Sequence, residues 1–156
     1  MNAKAGHGCA AVPRCHSAKR ATARTDLSIT VLVVDDDPDD RLWAGELLEQ
    51  IGIVGAVRSV SSGDDLLAYL RRSGPFAEAA DWRRPDLVLL DLYMPGSDGL
   101  DVLRQLRAAT DLPRIPVVIL TGSESSGDVE QAYALGARSY LVKPLTLERM
   151  IVSLDA

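Results

Sequence analysis

From residue 29 onward, short unbroken apolar runs alternate with stretches in which apolar residues recur every three or four positions. The runs are Val31–Val34, a weaker Val57–Val60, Leu87–Leu90, Val117–Leu120 and Tyr140–Val142. Apolar runs without polar alternation predict strands covered on both faces, as in a parallel sheet sandwiched by helices. The intervals carry helical stripes. Ala44, Leu47, Leu48 and Ile51 predict a helix from Pro38, and Leu66, Leu67 and Leu70 a second, with Ser62 or Asp64 as cap. Val102, Leu103 and Leu106 predict a third after Gly99. Val129, Ala132, Tyr133 and Gly136 predict a fourth that stops at Gly136. Leu147, Met150, Ile151 and Leu154 predict a fifth from Thr146. The expectation is an α/β, doubly wound domain of five strands and five helices.

Composition narrows the class without changing that expectation. The chain has 156 residues, 47% of them hydrophobic and 25% charged, enough for one domain with its own core. No apolar run reaches membrane-spanning length, and MNAKAGHGCAAVPRC lacks the apolar stretch of a secretory signal. Cys9 and Cys15 are the only cysteines, so no disulfide framework is expected and the cytoplasm fits. Residues 1–28, rich in Ala, Gly and basic side chains, are expected to be a flexible tail, and residues 29–156 the domain. His7, Cys9, Cys15 and His16 match no common zinc spacing. The net charge of −5, set against a basic tail, leaves the domain acidic and argues against nucleic acid as a partner. Between the second helix and third strand, "SGPFAEAADWRRP" is long for a connection, and its Phe76 and Trp82 are expected to lie on the domain edge.

The chemistry is concentrated where strands end. Asp35 and Asp36 follow the first run, Asp91 the third, Thr121 the fourth and Lys143 the fifth. In an open parallel sheet these C-terminal ends share one rim, so three carboxylates, a hydroxyl and an ammonium are expected to converge. Clustered carboxylates repel unless a cation neutralises them, and magnesium suits hard oxygen ligands that leave room for phosphate. A carboxylate beside the metal can attack a phosphoryl group, with Lys143 and Thr121 holding its oxygens. Asp37, Asp39 and Asp40 read instead as helix-capping acids.

In order, "VLVVDDDP", "PDLVLLDLYMPGSDGLDVL", "IPVVILTG" and "GARSYLVKPL" resemble the receiver domain of bacterial two-component response regulators, over about residues 29–154. The resemblance implies a flavodoxin-like (βα)5 sheet of order 2-1-3-4-5. It implies Asp91 as phospho-acceptor and Asp36 as direct magnesium ligand, with Asp35 acting through water and Tyr93 through its backbone carbonyl. Mn2+ is expected to substitute for Mg2+. Thr121, Gly122 and Lys143 would surround the phosphoryl group, Thr121 and Tyr140 would switch, and the Lys143–Pro144 bond would be cis. Tyr93 would hinder water from reaching the acyl phosphate, while Gly122 leaves room for it. Pro95 and Gly99 shape the returning loop, and Pro144 the end of the fifth strand.

The implied partner is a sensor histidine kinase. The extra length before the acceptor strand is similar to that of regulators paired with phytochrome-like kinases. Because the sequence ends soon after the fifth helix, the output is expected to be contact: a homodimer, a downstream protein, or onward phosphotransfer, which includes acting as a phosphate sink. A dimer resting on the short last helix alone would have limited area. Beyond its own phosphorylation and dephosphorylation no enzyme activity is expected. Three other readings remain at this stage. A phosphohydrolase with an aspartyl nucleophile usually needs an acid two residues later, where Tyr93 stands. A flavin binder would meet an acidic rim, and a receiver that never takes phosphate would have no reason for the full acidic set.

Overall fold

The computed structural model describes residues 28–52, 54–122 and 125–155. The five apolar runs form one parallel sheet: β1 (Ile29–Val34), β2 (Val54–Val60), β3 (Leu87–Asp91), β4 (Val117–Thr121) and β5 (Ser139–Val142), in the order β2-β1-β3-β4-β5. This is the flavodoxin-like arrangement expected. Alternate residues of each central strand face opposite layers. Leu32, Val34, Val88, Leu90, Val117 and Ile119 pack under α2 (Gly63–Leu70), α3 (Gly99–Ala108) and α4 (Ser126–Ala134). Val31, Val33, Leu87, Leu89, Val118 and Leu120 pack under α1 (Pro38–Glu49) and α5 (Leu147–Asp155). Double coverage is therefore the physical reason for the unbroken apolar runs.

The element ends show where local pattern was insufficient. β2 begins three residues earlier than Val57, because its first half is a partly exposed edge with a weak apolar signal. Ser62 is the cap of α2, its hydroxyl accepting from the Asp65 amide at 3.1 Å, and Asp64 is not. Ile51 lies beyond α1, yet still packs against its layer. In α4 only Ala132 of the predicted stripe is buried; Tyr133 is exposed, and Gly136, with φ +91°, ends the segment in the left-handed region. Thr146 does start α5, accepting from the Arg149 amide at 3.3 Å.

The segment 73–85 packs on the edge as expected. Phe76 and Trp82 lie against Tyr69 at ring-centroid distances of 5.1 and 5.7 Å, and the Trp82 indole donates to the Tyr69 carbonyl at 2.9 Å. Apart from Ser28, the expected tail and its His7, Cys9, Cys15 and His16 lie outside the described residues. Among the described residues no helix is long and apolar enough to cross a membrane.

Candidate functional site

Parallel strands fix the site by geometry alone: equal register brings their C-terminal ends to one rim. There a cleft of about 500 Å³ is lined by Asp35, Asp36, Asp91, Tyr93, Thr121, Gly122 and Lys143, and also by Asp37 and Asp40. Asp35, Asp36 and Asp91 each turn a carboxylate oxygen to within 4.8 Å of the others. Asp35 and Asp91 are buried at the ends of β1 and β3, whereas Asp36 is exposed at the mouth.

Each buried carboxylate has a fixed orientation. Asp35 accepts from the Asp37 amide at 3.0 Å through Oδ1 and from Lys143 Nζ at 2.8 Å through Oδ2. Asp91 accepts from the Tyr93 amide at 3.2 Å through Oδ1, and its Oδ2 stands 3.4 Å from Lys143 Nζ. Burial first, and the charge of Asp35 with it, push the Asp91 carboxyl up to about 6, against the opposing pull of Lys143 and the Tyr93 amide. Burial pulls the Lys143 ammonium down, but hydrogen bonds to Asp35 and Asp40 and the nearby charges of Asp91 and Asp35 outweigh it, holding the pKa well above the usual lysine value. Five carboxylates, those of Asp35, Asp36, Asp37, Asp40 and Asp91, and one ammonium leave a surplus of negative charge, the setting that a divalent cation with oxygen ligands fits.

Neighbouring loops complete the site. Thr121 is buried at the end of β4, and its carbonyl accepts the Lys143 amide at 2.7 Å, joining the ends of β4 and β5. Lys143–Pro144 is cis. Gly122 opens onto the cleft, with no heavy atom within 4 Å of where a Cβ would stand. Tyr140 on β5 is half-buried against the layer that holds α4. After β3 a small antiparallel hairpin, Tyr93–Met94 with Ser97–Asp98, turns through Pro95 and Gly96. Gly96, with φ +74°, makes the left-handed turn; Gly99 serves close approach instead. A Cβ on Gly99 would lie 2.6 Å from both the Asp91 carbonyl oxygen and the Leu92 Cα. Asp98 caps α3 by accepting from the Leu100 amide at 2.9 Å.

Two further side chains, one lining the cleft and one bound to a residue that lines it, are not marked as site residues by the sequence. Asp40, expected from the sequence to be a helix-capping acid, is not one. Only Asp37 caps α1, accepting from the Asp39 amide at 2.9 Å, while Asp40 turns its Oδ2 to Lys143 Nζ at 2.8 Å. Asp128 in the first turn of α4 accepts a hydrogen bond from the Tyr93 hydroxyl, so the exposed Tyr93 ring spans from the hairpin after β3 to α4. No sequence pattern announces that contact, because it joins a hairpin and a helix whose residues are 35 apart.

Comparison with known proteins agrees with this fold. The response regulator receiver domain matches residues 31–155. Response regulator Rcp1 of Synechocystis sp. is 35% identical over 118 residues, 76% of this chain and 78% of that protein. A phosphorylated cyanobacterial phytochrome response regulator, RcpA, superposes with TM-score 0.69 at 34% identity, covering 82% of this chain and 91% of that one. The Mn(2+)-bound form of a response regulator Rcp1 superposes with TM-score 0.67 at 32% identity, covering 81% and 89%. The chain belongs to the response regulator receiver domain family.

Proposed function

We propose that this chain accepts a phosphoryl group on Asp91 from a histidine of a sensor kinase, in a reaction that needs Mg2+. The observation that carries this reading is the meeting of Asp35, Asp36 and Asp91 within 4.8 Å, with Lys143 alongside. An Asp91 carboxylate oxygen attacks phosphorus, the phosphorus–nitrogen bond to the kinase histidine breaks, and that nitrogen keeps the electron pair. Asp35 and Asp36, with Asp91 and the Tyr93 carbonyl, would hold the ion. Once bound, it neutralises charge on the transferring phosphoryl oxygens, and Mn2+ would serve in its place. Lys143 and the Thr121 hydroxyl bind phosphoryl oxygens, and Gly122 leaves them room.

Output follows from the same strand ends. Movement of Thr121 toward the phosphoryl group vacates space beside Tyr140, and a turn of Tyr140 inward alters the face made by α4, β5 and α5. That face already exposes Tyr133, Ile151 and Val152, apolar surface suited to a second copy or a downstream protein. The kinase class most in keeping with the relatives is phytochrome-like. The Tyr93 bridge to Asp128 supports a role for Tyr93 in screening the acyl phosphate from water.

Incubation with acetyl phosphate and Mg2+, followed by intact mass and a sizing column, tests the proposal. The parent is expected to gain one phosphoryl group and Asp91→Asn none. Equal modification of both proteins, or of neither, would overturn it. A change in elution on phosphorylation favours dimerisation as output, and an unchanged position favours a downstream partner or onward transfer.

A further inference from the structure

Resting on the phosphorylation reading of this cleft, we infer that Asp40 is a built-in competitor for Lys143 and thereby sets how strongly the site retains its phosphoryl group. Lys143 Nζ lies 2.8 Å from Asp40 Oδ2, as close as it is to Asp35, but 3.4 Å from Asp91. The ammonium is thus drawn toward the first turn of α1 and away from the acceptor. A lysine has three N–H donors. Asp35 and Asp40 engage two of them at full strength, and the longest contact is the one facing the reacting carboxylate.

The two flanking acids are not equivalent. Asp35 is buried, tied to the Asp37 amide, and belongs to the carboxylate triad. Asp40 stands outside that triad and keeps much of its side chain in solvent, with 41% exposed. Its pairing with Lys143 is accordingly the one that water can replace at modest expense. A phosphoryl group on Asp91 brings two negative charges toward the same ammonium. Asp40 both contests Lys143 and adds a like charge to the cleft, so each effect lowers occupancy of the phosphorylated state. Neutralising Asp40 leaves Lys143 free to close on the phosphoryl oxygens.

The test compares parent, Asp40→Asn, Asp40→Glu and Asp39→Asn, each incubated with acetyl phosphate and Mg2+. The phosphorylated fraction and, after donor removal, the phosphoryl lifetime are read by intact mass. Asp39 is the neighbouring first-turn acid of α1, exposed, so its substitution reports loss of helix-end charge without loss of the Lys143 contact. Asp40→Asn is expected to reach half-phosphorylation at about three- to five-fold lower donor concentration and to hold the group longer by a similar factor, the strength of a partly exposed ion pair. Asp40→Glu and Asp39→Asn should stay close to the parent. An Asp40→Asn protein with parental or reduced occupancy overturns the inference, as does an equal gain in Asp39→Asn, which would make the effect one of general field. If the parent itself takes no phosphoryl group, the reading of the site fails as a whole; if the parent is phosphorylated and Asp40→Asn matches it, only the role of Asp40 fails.

Discussion

Asp91→Asn should make the metal-free protein more stable at neutral pH, although it removes the proposed reactive group. The parent buries an ionised carboxylate beside Asp35, and the folded chain therefore holds the Asp91 proton more tightly than the unfolded one. For a carboxyl raised in the folded state, ionisation destabilises the fold as pH climbs from the ordinary value of 3.8 through about 6. At about 1.4 kcal/mol per pH unit this span corresponds to ~3 kcal/mol. Asparagine keeps an oxygen for the Tyr93 amide and gives up only the 3.4 Å contact with Lys143, which retains Asp35 and Asp40. A net gain of ~1–3 kcal/mol is expected, a rise in Tm of about 3–9 °C for a domain of this size. Thermal unfolding in EDTA at pH 7.5 and pH 4 is the assay. The gap between variant and parent should be wide at the higher pH and nearly closed at the lower. Excess Mg2+ should narrow it at neutral pH, since the ion favours the parent by mass action. A parent more stable than Asp91→Asn in EDTA at pH 7.5 would refute the electrostatic reasoning.

Other perturbations probe separate parts of the account. Tyr93→Phe removes the hydroxyl bound to Asp128, and the phosphoryl lifetime should shorten about two- to five-fold; an unchanged decay by intact mass would remove Tyr93 from the screening role. Gly99→Ala drives a methyl into the Asp91 carbonyl and Leu92 Cα, and urea unfolding should show a loss of about 2–3 kcal/mol. Thr121→Ala should still take a phosphoryl group, but the ring resonances of Tyr140 should no longer shift on phosphorylation; a full shift in the variant would uncouple Thr121 from the switch.

Much of this was readable in the sequence because burial on both faces leaves unbroken apolar runs, and β1, β3 and β4 are such strands. The start of the edge strand β2 is not legible in the sequence, because the exposed Gly55 and partly buried Ala56 carry little apolar signal. The meeting of Asp35, Asp36, Asp91, Thr121 and Lys143 followed from one topological rule, since every one of them sits at or just beyond a strand's C-terminal end. Asp40 and Asp128 were not legible in that way. Both act from helix first turns, where an acid is equally at home as a dipole or capping partner, so local sequence cannot say which way it faces. The "PGSDG" stretch marks Gly99 as a residue that shapes the returning loop, but its tight fit against Asp91 and Leu92 is a three-dimensional fact that local sequence does not carry.

Borohydride reduction converts an aspartyl phosphate to homoserine, and peptide mapping after treatment with acetyl phosphate locates it. The account predicts homoserine at position 91 alone, formed with Mg2+ or Mn2+ and absent in EDTA. Homoserine at another aspartate, or equal yield without a divalent ion, would contradict it.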